Sequence, residues 1–229
     1  MTCRTSSRLS PGATLNTSLT TCVPIYFPIT PRTNPKSFAD VPITDSGVDT
    51  LAFLEAAEGV VRLCKLLENP AFAPVVSDLE GNITFEATTN RTPPNRLLSS
   101  SSLPMKKNET KRPATEGLMW LLRGLLFTCK ALQTAQSDNK VSLADAFTSG
   151  YEGSLKKYHN FVVQGIFSLA MKACPDRKDF YAKLASDPNG GPSVPQDELH
   201  EELNKWLNGL DRIVKRMAKV YMDSKYGEV

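Results

Sequence analysis

Apolar residues recur every three or four positions along most of the chain from Val48 onward, the period of a helix with one buried face. Val48, Leu51, Leu54, Ala57, Val61, Cys64 and Leu67 make the first such stripe. It predicts a helix that takes Asp45 or Ser46 as N-cap and runs to about residue 68. Pro70 punctuates the pattern, and a second helix is expected from there to about residue 89. Residues 91–113 lose the period: Pro93, Pro94, a serine run beginning at Ser99, and the basic pair Lys106 and Lys107 read as a loop, with one short helix near 95–98.

Residues 114–136 are apolar almost all round, which places that helix at the centre of a bundle. Next come a short helix over 143–151 and a long one over 154–173, with Leu155, Tyr158, Val162, Ile166, Leu169 and Ala173 as its buried stripe. Pro175 ends it, and a further short helix covers 178–185. After a Pro/Gly turn at 187–195, the last helix spans 196–224 on the stripe Leu199, Leu203, Leu207, Leu210, Val214, Met217 and Tyr221. Alternating strand patterns are absent, so the expected fold is all-α, with seven or eight helices.

Composition divides the chain in two. Residues 1–45 are rich in Ser, Thr and Pro and show no helical period, so they read as a disordered basic extension. Arg4, Arg8, Arg32 and Lys36 stand there with no acidic residue before Asp40, which fits either an organelle-targeting peptide or a tail without an address. Residues 46–229 form the expected domain. Its basic and acidic residues nearly balance, which argues against a nucleic-acid binder that works by neutralising phosphates. The five cysteines are scattered, odd in number and never in C-x-x-C spacing, so reduced thiols in a cytoplasmic setting are expected. No apolar run has the length of a membrane span.

Three polar groups interrupt stretches that should be buried. Asp78 and Asn82 are one helical turn apart on one face, bordered by Phe72, Val75, Val76, Leu79 and Ile83. An ionised Asp only accepts hydrogen bonds, whereas an Asn amide donates and accepts; together they suit neighbouring hydroxyls or an amide N–H, or simply satisfy each other. Trp120 and Arg123 share a face of the central helix, where an indole can lie against the C–H face of a sugar or pack as core beside a paired Arg. His159 is one of two histidines in the chain, so no His-rich metal constellation exists. Nucleophile elbow, phosphate-cradling loop and dinucleotide fingerprint are all missing, and enzyme chemistry is unsupported.

Taken together, Asp78-x-x-x-Asn82, the run Leu118-Met119-Trp120-Leu121-Leu122-Arg123-Gly124-Leu125, and Leu155-Lys156-Lys157-Tyr158-His159-x-Phe161-x-Val163-Gln164 resemble the glycolipid transfer protein family, in order and spacing. The resemblance covers residues 53–229. It implies a two-layer all-α bundle without catalytic activity, cofactor or metal, a monomer that holds one glycosphingolipid with its ceramide chains in a hydrophobic pocket between the layers. It further implies transient peripheral contact with membranes, cytoplasmic residence and transfer of lipid between membranes. At matched positions, Asp78 is expected to accept from the ceramide amide and a sugar hydroxyl, Asn82 to bind further hydroxyls and Trp120 to stack under the sugar. His159 is expected to donate to the amide carbonyl, Tyr226 to close over the headgroup, and Phe161 to sit on the docking surface. Phe72 and Val75 mark where the layers would part.

One departure stands out. The family has a Lys three residues after the Asn, and this chain has Phe85. Transfer of ceramide-1-phosphate or another sphingolipid, and a sphingolipid sensor or scaffold without net transport, are the alternative readings. The phosphate-binding branch carries a Lys where Asn82 stands, and a neutral amide beside an indole suits a phosphate poorly.

Overall fold

The helix that is apolar all round lies at the centre of the computed structural model, which describes residues 36–89, 97–98, 113–187 and 190–229. Among these are α1 Thr50–Lys65, α2 Ala73–Thr89, α3 Pro113–Ser137, α4 Leu143–Glu152, α5 Phe161–Lys172, α6 Arg177–Ala185 and α7 Gln196–Asp223. Along α3, Leu118, Leu121, Leu122, Leu125, Phe127, Cys129, Ala131, Leu132 and Ala135 are all buried. It packs against α1, α2, α4 and α7, and the architecture is the expected two-layer all-α bundle. The α3–α4 contact is backbone to backbone: a Cβ on Gly150 would come within 2.7 Å of the Ala131 nitrogen, so only hydrogen fits there. Every residue of the stripe read along α7 is buried as well.

Folded structure begins earlier than the expected boundary at 45. Phe38 is fully buried in a 3₁₀ turn, Phe38–Asp40, with its ring edge-on to Trp206 at 5.0 Å. A Cβ on Gly209 of α7 would collide with the Phe38 carbonyl, so α7 leaves a slot that this turn fills. Residues 36–45 are therefore part of the domain, and the remainder of the expected extension, 1–35, lies outside the described residues.

Two short strands, β1 Ile43–Thr44 and β2 Gly47–Asp49, pair antiparallel, and β3 Leu97–Leu98 adds to β2. Residues 97–98 are thus strand where a short helix was expected, and most of the loop around them lies outside the described residues. Because the hairpin takes residues 43–49, α1 starts later than expected, with the Asp49 carboxylate accepting from the Ala52 N–H at 2.8 Å. Leu51, assigned to the buried stripe, faces solvent.

The long helix expected over 154–173 is broken. A 3₁₀ turn, Leu155–Tyr158, comes first, and α5 starts afresh behind Asn160, whose side chain accepts from the N–H groups of Val162 and Val163 at 3.1 Å each. That cap competes with helix continuation and wins, leaving His159 in extended backbone between the two pieces. Leu155 of the expected stripe is buried, but within α5 the stripe is on the wrong side. Phe167, Ala170 and Met171 are buried, while Val162, Ile166 and Leu169 are exposed.

Candidate functional site

The α2–α3 contact fixes the register of the first two polar groups. A Cβ on Gly124 would come 3.1 Å from Leu79, and one on Gly117 would come 3.2 Å from Phe85. Climbing α2 therefore descends α3, nearly residue for residue, and Asn82 comes level with Trp120. Leu79 and Ile83 anchor α2 in the core, which turns the neighbouring Asp78 and Asn82 to the rim. The Asn82 side chain lies near enough to the Asp78 carboxylate to favour its charged form. Asp78 is exposed as a residue, yet the surrounding protein desolvates the carboxyl and raises its pKa above the usual range; the Asn82 side chain acts the other way.

Trp120 is half-buried and lies nearly parallel to His159, ring centroids 5.9 Å apart and planes 16° from one another. Tyr158 meets the indole edge-on at 6.5 Å. His159 Nδ1 is 3.0 Å from the Tyr151 hydroxyl, and its ring also packs on Phe167 at 4.7 Å. Desolvation, reinforced by the nearby Arg123 charge, lowers the His159 pKa, so the imidazole is neutral at physiological pH. Desolvation raises the Tyr151 pKa and keeps that hydroxyl protonated. The hydroxyl can donate to Nδ1, which puts the imidazole hydrogen on Nε2, or accept from Nδ1–H.

Arg123 is buried. Its guanidinium carbon is 3.5 Å from the Tyr158 ring centroid and 4.9 Å from that of Trp120. Among the described residues no carboxylate meets its fork; the Glu228 backbone carbonyl accepts from both Nε at 3.1 Å and Nη2 at 2.5 Å. The C-terminal stretch reaches this point because the Tyr226 N–H donates to the Tyr221 carbonyl, and Gly227 passes over Met119, one residue from Trp120. Gly227 has φ 121°, a conformation that favours glycine. Tyr226 packs against the core with its ring 6.0 Å from Tyr221. Phe85, where the family's Lys would stand, lies against α3 at Gly117, one turn before Trp120.

Behind His159 the interior is aromatic. Phe167 meets Phe127 at 6.2 Å, Phe127 meets Phe147 at 5.8 Å, and Phe147 meets Phe72 at 6.3 Å, all edge-on and all buried. The series ends at the 3₁₀ turn Pro70–Phe72, with Val75 buried one turn further on. That turn and α4 are the principal neighbours of α5. Outward, α5 presents Phe161, Val162, Ile166 and Leu169 at 85, 54, 40 and 67% exposure. A groove of about 370 Å³ runs between α4 and α5, lined by Tyr151, Lys156, Gln164, Ser168 and Met171 among others. The basic side of α7 is a paired surface: Lys215 holds Asp211, Lys219 holds Asp223 and Arg216 donates to the Asp45 carbonyl.

Among the described residues, no group of three or more His, Cys, Asp or Glu side chains is placed to hold a metal, and no helix is long and apolar enough to cross a membrane. Three participants escaped the sequence reading. Tyr151 stands eight residues before His159 with no periodic relation to it, Tyr158 was assigned to a buried stripe, and Glu228 belongs to a short tail without pattern. Only the Asn160 cap left a legible sign, an Asn directly before an apolar run.

Comparison with known proteins agrees with this geometry. Residues 48–186 match the family described as glycolipid transfer protein. A glycolipid transfer protein of Aureobasidium melanogenum is 39% identical over 183 residues, covering 79% of this chain and 86% of that one. The crystal structure of HET-C2, a fungal glycolipid transfer protein, superposes with a TM-score of 0.70 at 38% identity, covering 82% of this chain and 93% of that one. A structure describing how FAPP2 selects simple glycosphingolipids with the same fold gives a TM-score of 0.72 at 27% identity, covering 86% and 96%. The chain belongs to the glycolipid transfer protein family, whose members are lipid transfer proteins and not enzymes.

Proposed function

We propose that this chain carries single glycosphingolipids between membranes, with the sugar seated on Trp120 and the ceramide chains drawn into the aromatic interior. Asp78 accepts from the ceramide amide N–H and a sugar hydroxyl, Asn82 serves further hydroxyls, and Tyr226 closes over the head. His159 donates Nε2–H to the amide carbonyl. The observation that carries this reading is the parallel Trp120–His159 pair, level with Asn82 on one side and continuous with the Phe167–Phe127–Phe147–Phe72 series on the other.

Magnitudes assign the labour. A ceramide with on the order of 30 buried CH₂ groups at about 0.8 kcal/mol each needs roughly 24 kcal/mol of apolar surroundings. A few hydrogen bonds at about 1 kcal/mol net cannot substitute for that, so the interior holds the lipid and the rim selects it. Phe167, Phe127, Phe147 and Phe72 touch one another in series, so chains passing between these rings need them to move apart. The seam between α5 and the Pro70–Phe72 turn is the natural place, because it opens directly on Phe72 and Val75. Exposed Phe161, Val162, Ile166 and Leu169 give α5 an apolar face with which to dock on a bilayer, transiently and at its periphery. The carrier works as a monomer in the cytoplasm, which suits the free, buried thiols of Cys64 and Cys129. Sensing without transport is the competing reading, and Phe85 in place of a cationic donor is what favours it.

Transfer of fluorescent glucosyl- or galactosylceramide between vesicles tests the proposal. The wild-type chain should accelerate exchange, and Trp120→Ala and Asp78→Val should each abolish most of it; unchanged transfer in either variant contradicts the site assignment. Stoichiometric binding with negligible exchange would favour the sensor.

A further inference from the structure

Glu228 occupies two cations at the edge of the sugar site. Its backbone carbonyl accepts from the Nε and Nη2 groups of Arg123, and its carboxylate pairs with Lys157 Nζ at 2.6 Å. Both cations lie against the rings that build the platform: Arg123 over Tyr158 and Trp120, and Lys157 with its ammonium 4.8 Å from the Tyr158 centroid. A guanidinium fork beside an ammonium is the arrangement that binds a phosphomonoester, by bidentate hydrogen bonds and by charge. A neutral sugar can accept hydrogen bonds from such groups but gains no net charge attraction from them.

We infer that Glu228 is a specificity-determining residue, which keeps Arg123 and Lys157 from phosphorylated headgroups and so biases the rim toward neutral sugars. The inference rests on the glycosphingolipid reading above. Selectivity on this view comes partly from a residue that touches no sugar: the Glu228 carboxylate pairs Lys157 and offsets the charge of Arg123, which its backbone carbonyl holds in place, so less positive charge is left to draw an anion to the Trp120 platform. Arg123, Lys157 and Glu228 together carry a formal charge of +1, which becomes +2 in Glu228→Gln and +3 in Glu228→Lys. The double variant Lys157→Glu/Glu228→Lys restores both the pair and the +1.

Transfer of ceramide-1-phosphate and of glucosylceramide between phosphatidylcholine vesicles, measured side by side for the four full-length proteins, decides the matter. The ratio of the two rates should rise by about two- to fivefold for each added charge, as expected of exposed pairs. It should return to the wild-type value in the double variant. In about 1 M salt, where the screening length is about 3 Å, the differences should collapse. Because both lipids are read on the same protein, a loss of stability does not imitate a change in ratio. A ratio unmoved in Glu228→Lys, or one that stays high in the double variant, overturns the inference while leaving the sugar site standing. A wild-type chain that moves neither lipid overturns the site reading, and this inference with it.

Discussion

Replacing Tyr151 with Phe removes one oxygen and little else, which makes it the sharpest probe of how His159 is set. The ring is held independently of its hydroxyl: it stacks on Phe167 with centroids 4.8 Å apart and meets Phe127 edge-on at 6.2 Å. What is lost is the 3.0 Å bond to His159 Nδ1. A bond of this kind contributes about 1 kcal/mol net, so apo stability should fall by roughly 0.5–1.5 kcal/mol. The larger consequence is chemical. With no donor at Nδ1 the neutral imidazole divides between its two tautomers, and only the one with hydrogen on Nε2 can donate to an amide carbonyl. Loss of orientation and dilution of the right tautomer together should weaken glucosylceramide binding by about five- to tenfold, the equivalent of 1–1.4 kcal/mol. Quenching of tryptophan fluorescence on titration with the lipid reads the affinity, and nitrogen NMR of the imidazole reads the tautomer. Wild-type protein should show a bare Nδ1 and a protonated Nε2, and the variant a mixture. A wild-type imidazole protonated at Nδ1, or unchanged affinity in Tyr151→Phe, would refute the reasoning.

Asp78→Asn should separate stability from function. Desolvation raises the folded-state pKa of Asp78, so its stabilising contribution is complete below the unfolded pKa of about 3.9 and is lost as pH rises through the higher folded value. The neutral amide should therefore raise the melting temperature at pH 7 by about 1–2 °C while lipid binding falls, and a lower melting temperature would contradict the assigned cost. His159 behaves oppositely: its folded pKa is depressed, so the stability it contributes is present above about pH 6.5 and disappears as pH falls through the folded value. Denaturant titrations from pH 8 to 4 should show that loss in wild type and not in His159→Gln. Phe161→Ser should leave the melting temperature unchanged, since the side chain is exposed, yet cut vesicle association roughly tenfold, the scale of burying a large apolar side chain. Equal sedimentation with vesicles would remove α5 from the docking surface.

How much of this was legible in the sequence depended on whether a residue's role is local. Asp78 and Asn82 are a turn apart on one helix, and spacing alone brought them together. α3 and α7 have a single possible core face or none that is polar, so their burial followed from period. α5 has two apolar stripes. Periodicity finds both but cannot say which one meets Phe127 and which meets solvent, and the wrong one was assigned to the core. Likewise the helical spacing through His159 and Asn160 persists in the sequence, whereas the capping bonds of Asn160 break the helix there. Phe38 was read with a Ser/Thr/Pro-rich tail because one aromatic carries no period, and its burial depends on a slot at Gly209 far along the chain. Tyr151 with His159, and Glu228 with Arg123, are tertiary pairs of the same kind.

Native mass spectrometry of the purified chain, after incubation with vesicles offering glucosylceramide, ceramide-1-phosphate, sphingomyelin and phosphatidylcholine in equal amounts, tests most directly whether the rim selects and the interior holds. The expected spectrum has one glucosylceramide per chain as its dominant adduct in wild type, and a largely bare chain in Trp120→Ala. A bare wild-type chain, or one loaded without regard to headgroup, would contradict the account.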